Sequence, residues 1–564
     1  MQNPETRQCQ NCQASFTITP DDFGFYEKIA VPAPTFCPEC RFQRRLSWRN
    51  ERTLHRTICA ATKKPIISGF APDSGYVVYD RDYWWSDAWD PLSFGLEYDS
   101  AKSFFQQYDE LMRRVPHPAV FNARTTNCDY TQYTGEFKDG YLVSASWEGE
   151  NVAYGARVQS VKDSLDLYIL VDGSLCYDVV SCFKMYSSMF SEKSENCTNC
   201  QFVYACKGCN DCFGCTNLRN KSYHIFNQPY SKEEYKKKLE EMDLGSFKNL
   251  EAARKKFTEL KLAAIRKYAN LINAPECTGD DLTNSVNCKS CFVATNDMRN
   301  CKYVANSTEA KDSYDGYGIG AAAEMMYEAF DSGVQASRLC FVATVYGGVN
   351  IFYSYNCHGC QNLFGCVGLR GKQYCIFNKQ YTKEEFESLR AKIVEQMTRA
   401  GEYGEFFPTA ISPFGYNETV ANDYLPLTKE QATTKGYKWR DREASEHQPT
   451  VKAENLPDHI KDIDDNILKE IIECASCHRI YRIIKRELDF LKRFNIALPR
   501  KCFECRHQDR FHQVNFPRLH HRQCMCKTGH AHSDQPCPNE FETTYAPARP
   551  ETIYCEQCYN AEVV

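Results

Sequence analysis

The chain has 564 residues, 43% of them apolar, and a formal net charge of −5. That apolar share is enough for several packed cores and excludes a largely disordered chain, while the weak charge excludes a global field that would draw in nucleic acid or an anionic membrane. No eighteen apolar residues run together and MQNPETRQCQ lacks a basic leader into an apolar stretch, so a soluble, cytoplasmic protein with no membrane partner is expected.

The first element is a metal-ligand pattern, Cys9-x2-Cys12-x24-Cys37-x2-Cys40, which places a zinc ribbon over residues 1–56. Each CxxC lets a tight knuckle aim two thiolates at one point, and two knuckles complete a tetrahedral sphere suited to Zn²⁺. Four protein ligands leave no position open for substrate or water. The expected role is structural, with the metal supplying folding energy to a core-poor segment. Arg41, Arg44, Arg45 and Arg49 then face a single acid, Glu51, over residues 41–56. Such a tract beside a ribbon is a candidate phosphate contact, although basic stems also commonly cover apolar surface.

Residues 57–126 read as an aromatic-rich α/β connector with a helix at about 100–115. The stretch Tyr83-Trp84-Trp85-Ser86-Asp87-Ala88-Trp89-Asp90 holds half of the six tryptophans. Packing of a connector is favoured over an aromatic platform for a sugar, a base or a proline-rich peptide.

Two cysteine-rich halves follow, 127–230 and 276–381. Residues 206–234 recur at 357–385 with seventeen of twenty-nine positions identical. Shorter echoes such as Asn196-Cys197, Asn210-Asp-Cys212-Phe213, Asn300-Cys301 and Asn356-Cys357 put a turn-forming residue before Cys or an aromatic every ten to fourteen residues or so. This spacing suits the rungs of a β-solenoid, whose stacked coils align like residues in internal ladders. Cys206, Cys209 and Cys215 recur as Cys357, Cys360 and Cys366, but Cys212 becomes Leu363, Cys200 becomes Ile351 and Cys197 becomes Gly348. A position that accepts Leu behaves as a small apolar site, so buried thiol ladders are favoured over a metal cluster built on Cys206, Cys209 and Cys215. Gly316-x-Gly318-x-Gly320-Ala321 is read as a solenoid turn, because it lacks the spacing and the preceding strand of a dinucleotide loop.

A helical insertion, 231–275, starts at the capping box Ser231-x-x-Glu234 and continues into a helix near 248–270 with Phe257, Leu260, Ala264 and Tyr268 on one face. A capping helix, 382–404, starts at Thr382-x-x-Glu385. Residues 405–470, with Pro408, Pro413, Pro426, Pro449 and Pro457, read as an extended linker.

The second ribbon, 471–522, repeats the first as Cys474-x2-Cys477-x24-Cys502-x2-Cys505. The constant shift of 465 that carries Cys9 onto Cys474 also matches Phe16 to Tyr481, Ile18 to Ile483, Pro34 to Pro499 and Arg41 to Arg506. Twelve Lys or Arg against four acids in 478–522 make Arg479, Arg482, Arg486, Arg506 and Arg510 further candidate nucleic-acid contacts. A degenerate third ribbon, 523–564, keeps Cys537 and Cys555-x2-Cys558, but Asp534 stands where the partner of Cys537 belongs. The fourth ligand is then Cys524 or Cys526, or less readily His530 or His532; Cys526 is the favoured choice.

The segments CQNCQASF with CPECR and CASCHRIY with CFECR resemble the zinc-ribbon or treble-clef family, whose pattern is a CxxC, an aromatic strand, a helix start, a proline and CxECR. The whole layout more loosely resembles cysteine-rich multi-ribbon proteins of uncultured bacterial lineages. Some of those carry CaiB/BaiF-type CoA-transferase labels, an activity that no residue pattern here supports.

The expectation is a multidomain, mostly β protein, with zinc ribbons at both ends flanking a duplicated cysteine-rich β-solenoid-like core with capping helices. About three structural Zn²⁺ ions are implied. Every strong motif is structural, so the expected function is a non-enzymatic binding or scaffold platform for an unidentified protein or nucleic-acid partner. The rivals are a nucleic-acid or ribosome-associated protein gripping phosphate with the basic tracts, and an enzyme acting on a polymer or acyl substrate in a groove.

Overall fold

The computed structural model describes residues 3–294, 296–441, 447–528 and 536–564. The chain is mostly strands, in several sheets, with helices between and around them. Among the described residues no helix is long and apolar enough to cross a membrane.

Two large parallel sheets organise the molecule. In the first, strand partners lie twelve residues apart: Asn122 faces Thr134, Gln132 faces Ser144, Leu165 faces Tyr177 and Asn210 faces Ser222. From Arg124 to Phe226 the backbone takes a left-handed φ at every third residue. Four such turns therefore separate a residue from its ladder partner. Asn and Asp reach this conformation most readily among side-chain-bearing residues, because their short polar groups bond locally. That is why they recur: Asn127, Asp139, Asn151 and Asp163 all take it, and Asn151 donates to Asp163 at 2.7 Å.

The second sheet uses the same spacing with occasional single-residue expansions. Gly279 faces Cys291 and Gln361 faces Gln373, twelve apart, whereas Ala310 faces Ala323 and Gly333 faces Tyr346, thirteen apart. Gly320 sits at one such irregularity, where a Cβ would lie 1.7 Å from the Thr308 carbonyl oxygen; only glycine fits there. The glycine-rich run is thus part of the strand Tyr314–Ala343. Each sheet ends in a short antiparallel hairpin, Ile225 to Gln228 and Ile376 to Lys379. The capping-box helices Lys232–Met242 and Lys383–Arg399 follow directly, with both reciprocal bonds of each box formed. The helix expected near 248–270 is Phe247–Ala263, which buries Leu250 and Phe257 but stops before Tyr268 because the chain enters the strand Arg266–Lys267. The helix expected at 100–115 is Phe104–Arg114.

The central cysteines have a physical explanation in the first sheet. Cys176, Cys182, Cys197, Cys200, Cys206, Cys209, Cys212 and Cys215 are buried with Val152, Leu167, Leu170 and Val203. The Cys200 thiol donates to the Thr198 carbonyl at 3.3 Å, and the Ser188 hydroxyl donates to the Tyr186 carbonyl at 3.0 Å in the same way. The oxygen or sulfur then accepts the backbone N–H twelve residues on: Cys200 N–H to Ser188 at 3.3 Å and Ser194 N–H to Cys182 at 3.3 Å. Cysteine and serine therefore serve interchangeably as small interior residues with one donor and one acceptor. Changing Cys206, Cys209 and Cys215 together to serine is expected to leave fold and bound metal unchanged; loss of an ion would reinstate a metal cluster there.

The segment 405–470 departs from the expected extended linker. Its described residues form short helices, among them Val420–Tyr424 and Lys429–Thr434, and Phe406, Phe407, Phe414, Tyr416, Val420 and Ala421 are buried in the largest core. These aromatic anchors outweigh the prolines, since burying such side chains stabilises by roughly 1.5–3 kcal/mol each. In the connector, Trp84 is fully buried and its indole N–H donates to the Pro116 carbonyl at 2.9 Å, as packing required. Trp85 is 46% exposed and stacks obliquely on His358.

Candidate metal centres

In the first ribbon the strand Glu5–Gln8 pairs antiparallel with Ser15–Ile18, and Cys9 follows the last paired residue. A tight turn reverses the chain: Cys9 N–H donates to the Ala14 carbonyl at 2.9 Å, with Gln13 left-handed at φ 60. The second pair of thiols sits at a helix start. Cys37 is the N-cap of Pro38–Leu46, its own N–H donates to Cys9 Sγ at 3.2 Å, and Cys40 lies in the first turn. Free backbone N–H groups at a helix N-terminus favour negative charge, which suits thiolates at this position. Cys12 and Cys37 Sγ are 3.7 Å apart. A tetrahedron of thiolates about 2.3 Å from a central Zn²⁺ has edges of about 3.8 Å.

The second ribbon repeats every feature. Cys474 N–H donates to the Arg479 carbonyl at 2.8 Å, His478 is left-handed at φ 58, and Cys502 N–H donates to Cys474 Sγ at 3.2 Å. Cys477 and Cys502 Sγ are again 3.7 Å apart. Burial alone would raise the Cys477 thiol, but the Arg479 side chain and backbone bring it down to about 6. Its Nε donates to Cys477 Sγ at 3.3 Å, so Arg479 belongs to the metal centre.

The third quartet is Cys524, Cys537, Cys555 and Cys558, all four buried, rather than the set with Cys526. The strand His520–Gln523 pairs with Glu540–Thr543 in the register of the first ribbon, so the residue after it, Cys524, takes the place of Cys9. Cys555 N–H donates to Cys524 Sγ at 3.2 Å, the bond made by Cys37 and Cys502 in the other ribbons. Cys526 lies in an insertion that separates the two thiols of the first knuckle, and its Sγ faces the Thr528 carbonyl at 3.5 Å. With twelve residues between Cys524 and Cys537, the first knuckle no longer shows as a CxxC in sequence. A signal was nonetheless present, since the shift of 465 that aligns the first two ribbons carries Cys59 onto Cys524. Asp534, His530 and His532 lie outside the described residues.

In each quartet the four sulfurs lie within 4.8 Å of one another, and among the described residues these are the only sets that could hold a metal ion. All three could bind an ion and are compatible with zinc. An all-cysteine set offers a closed sphere and no general base.

Six of the nine candidate phosphate-binding arginines face inward. Arg41 donates to Asp315 at 2.8 Å, Arg44 and Arg45 to Glu328 at 2.9 and 2.7 Å, and Arg49 pairs with Asp331 at 3.1 Å. Arg506 donates to Glu487 at 2.7 Å and Arg510 to Asp166 at 2.8 Å, with Asp178 3.5 Å away. All six are buried and so are not free for phosphate, because each guanidinium fork is already matched to a carboxylate. Arg486 is half-buried and donates to the Asp139 carbonyl at 2.6 Å; Arg482 is exposed.

These pairs show how the ribbons dock. Arg41 and Arg45, one turn apart on Pro38–Leu46, bridge Asp315 and Glu328, which lie thirteen residues apart on the second sheet. Their counterparts Arg506 and Arg510, on Phe503–Phe511, bind Asp166, and Arg510 reaches Asp178 twelve residues further along the first sheet. The N-terminal ribbon thus holds the second sheet and the C-terminal ribbon the first.

No family model and no curated protein matches the chain. Among solved structures, one described as an acetyltransferase from Desulfovibrio desulfuricans aligns with 50% of this chain and 82% of its own, at 10% identity and a TM-score of 0.10. That likeness is too slight to bear on fold or activity.

Proposed function

We propose that this is a non-enzymatic zinc protein in which terminal ribbons clamp a duplicated β-solenoid into a rigid platform for a macromolecular partner. The observation that carries this reading is the use made of the ribbons: their helices are committed to buried ion pairs with the sheets. Twelve-residue parallel pairing with a left-handed turn at every third position supports a four-cornered coil as the solenoid unit. The quartet geometry and the all-thiolate donor set support zinc over a hard cation. Internal pairing of Arg41, Arg44, Arg45, Arg49, Arg506 and Arg510 favours a protein partner over nucleic acid.

Metal analysis of the purified protein is the first test. About three zinc ions per chain, released only with loss of structure, are expected; no zinc, or chelation that leaves the fold intact, overturns the proposal. Capture of partners from native lysate, with and without nuclease, separates the classes. Interactors that vanish with nuclease, together with affinity that falls steeply with salt, would establish the nucleic-acid reading instead.

A further inference from the structure

We propose that residues 55–85 form a fourth ribbon that has lost its metal and is held closed by hydrogen bonds to its one remaining thiol, Cys59. The strand His55–Ile58 pairs with Pro65–Ser68 in the register of the first ribbon: His55 faces Ser68 as Glu5 faces Ile18, and Ile58 faces Pro65 as Gln8 faces Ser15. Cys59 N–H donates to the Lys64 carbonyl at 2.9 Å and Lys63 N–H to the Cys59 carbonyl at 2.9 Å, repeating the bonds Cys9 to Ala14 and Gln13 to Cys9 at the same lengths. Lys63 is left-handed at φ 60, as Gln13 is. Ala60 N–H reaches the Val78 carbonyl at 2.8 Å where Gln10 reaches that of Thr35 at 3.1 Å.

The second knuckle persists in outline. Asp80 is the N-cap of the short helix Arg81–Trp85 as Cys37 is of Pro38–Leu46, and its N–H donates to Cys59 Sγ at 3.1 Å. The missing ligands follow from these matches: Thr62 stands for Cys12 by the strand register, and Asp80 for Cys37 and Tyr83 for Cys40 by the helix N-cap. Internal bonds satisfy what the metal would have satisfied. Thr62 N–H donates to Cys59 Sγ at 3.3 Å, and the Asp80 carboxylate accepts the N–H groups of Asp82 and Tyr83 at 3.0 and 3.3 Å.

The position of this module on the protein is an independent observation. The shift that carries Cys59 onto Cys524 makes the module the counterpart of the third ribbon up to its first knuckle, and beyond it the second knuckle gives the match: Trp84 follows Tyr83, which stands for Cys40, as Tyr559 follows Cys558. Tyr559 accepts from Arg219 at 3.0 Å, near the end of the first sheet. Trp84 carries Arg370 on its ring face, 5.2 Å from the centroid, near the end of the second. Arg370 is the copy of Arg219 in the 206–234 and 357–385 repeat. The two modules therefore hold matching points on the two sheets, one with a metal quartet and one without.

Two variants test this in the full-length protein. Thr62→Cys, Asp80→Cys and Tyr83→Cys together are expected to raise bound zinc by one ion per chain over wild type and, in cobalt-loaded protein, to raise the thiolate-to-cobalt absorbance by about a third. An unchanged ion count in a variant with wild-type circular dichroism would overturn the proposal. Asp80→Cys alone is the milder change. Under mild oxidation it is expected to form a disulfide between the new thiol and Cys59, read by peptide mapping; a folded variant in which those two thiols stay unlinked would also overturn it.

Discussion

Changing Cys37 to serine is expected to lower bound zinc from about three ions to about two and to detach the N-terminal ribbon from the second sheet. Structural zinc contributes roughly 10–16 kcal/mol of apparent binding free energy in small zinc-folded peptides, and three remaining thiolates retain only part of it. The helix Pro38–Leu46 starts at Cys37, so losing the ligand also frees the segment that aims Arg41 and Arg45 at Asp315 and Glu328. The ion pairs of Arg41, Arg44 and Arg45 with Asp315 and Glu328 would then be lost together with the burial that strengthens them. The combined loss is expected to be on the order of 5 kcal/mol or more, seen as a lowered melting transition and as proteolytic cleavage within 5–46. Cys200→Ser is the matched control. Its thiol only repeats the role of Ser188, so the ion count and melting temperature should hold. A Cys37→Ser protein that melts with wild type and resists protease would show that the first ribbon is held by packing alone.

The sequence made parts of this organisation readable because some constraints are strictly local. Four thiolates around one ion fix both residue type and spacing, so Cys9 to Cys40 and Cys474 to Cys505 were plain from the spacing. The capping boxes at Ser231 and Thr382 were plain for the same reason, since each is completed within four residues. The choice between Cys526 and Cys524 is not legible in the local sequence, because the insertion breaks the short spacing on which such patterns rest. Only the register of His520–Gln523 against Glu540–Thr543 restores the match. The inward-facing arginines are illegible for a different reason. A basic tract looks alike in sequence whether it faces phosphate or carboxylate, and the acids that neutralise it, Asp315, Glu328 and Asp166, lie hundreds of residues away. Residues 405–470 look like a linker in sequence because proline and charge describe their backbone, whereas Phe406, Phe407 and Phe414 decide their burial.

Changing Glu328 to glutamine is expected to cost about 3–5 kcal/mol at neutral pH, the range for removing one partner of a buried ion pair. The carboxylate accepts from Arg44 at 2.9 Å and Arg45 at 2.7 Å, with Arg41 Nε 4.0 Å away, and no side chain in the group exceeds 6% exposure. A neutral amide leaves three guanidinium groups sharing Asp315 and Glu405, with Arg45 keeping only a 3.4 Å contact to Asp315. Acid titration gives a second readout. Burial alone would raise the Glu328 carboxyl, but Arg45, Arg44 and Arg41 together hold it below the usual range near 4.3. A carboxyl depressed on folding contributes stability that is present above its unfolded value and is lost as pH falls through its folded value. Wild type should therefore lose stability on acidification below about pH 5, and Glu328→Gln should flatten that limb. Asp315 behaves oppositely, because burial outweighs Arg41 and Arg45 and raises it, so Asp315→Asn should leave the acid limb steep. Denaturant unfolding of the three proteins between pH 3 and pH 7 decides the matter. A Glu328→Gln protein within about 1 kcal/mol of wild type, with the same acid limb, would show that the ribbon is not held to the second sheet by this charge cluster.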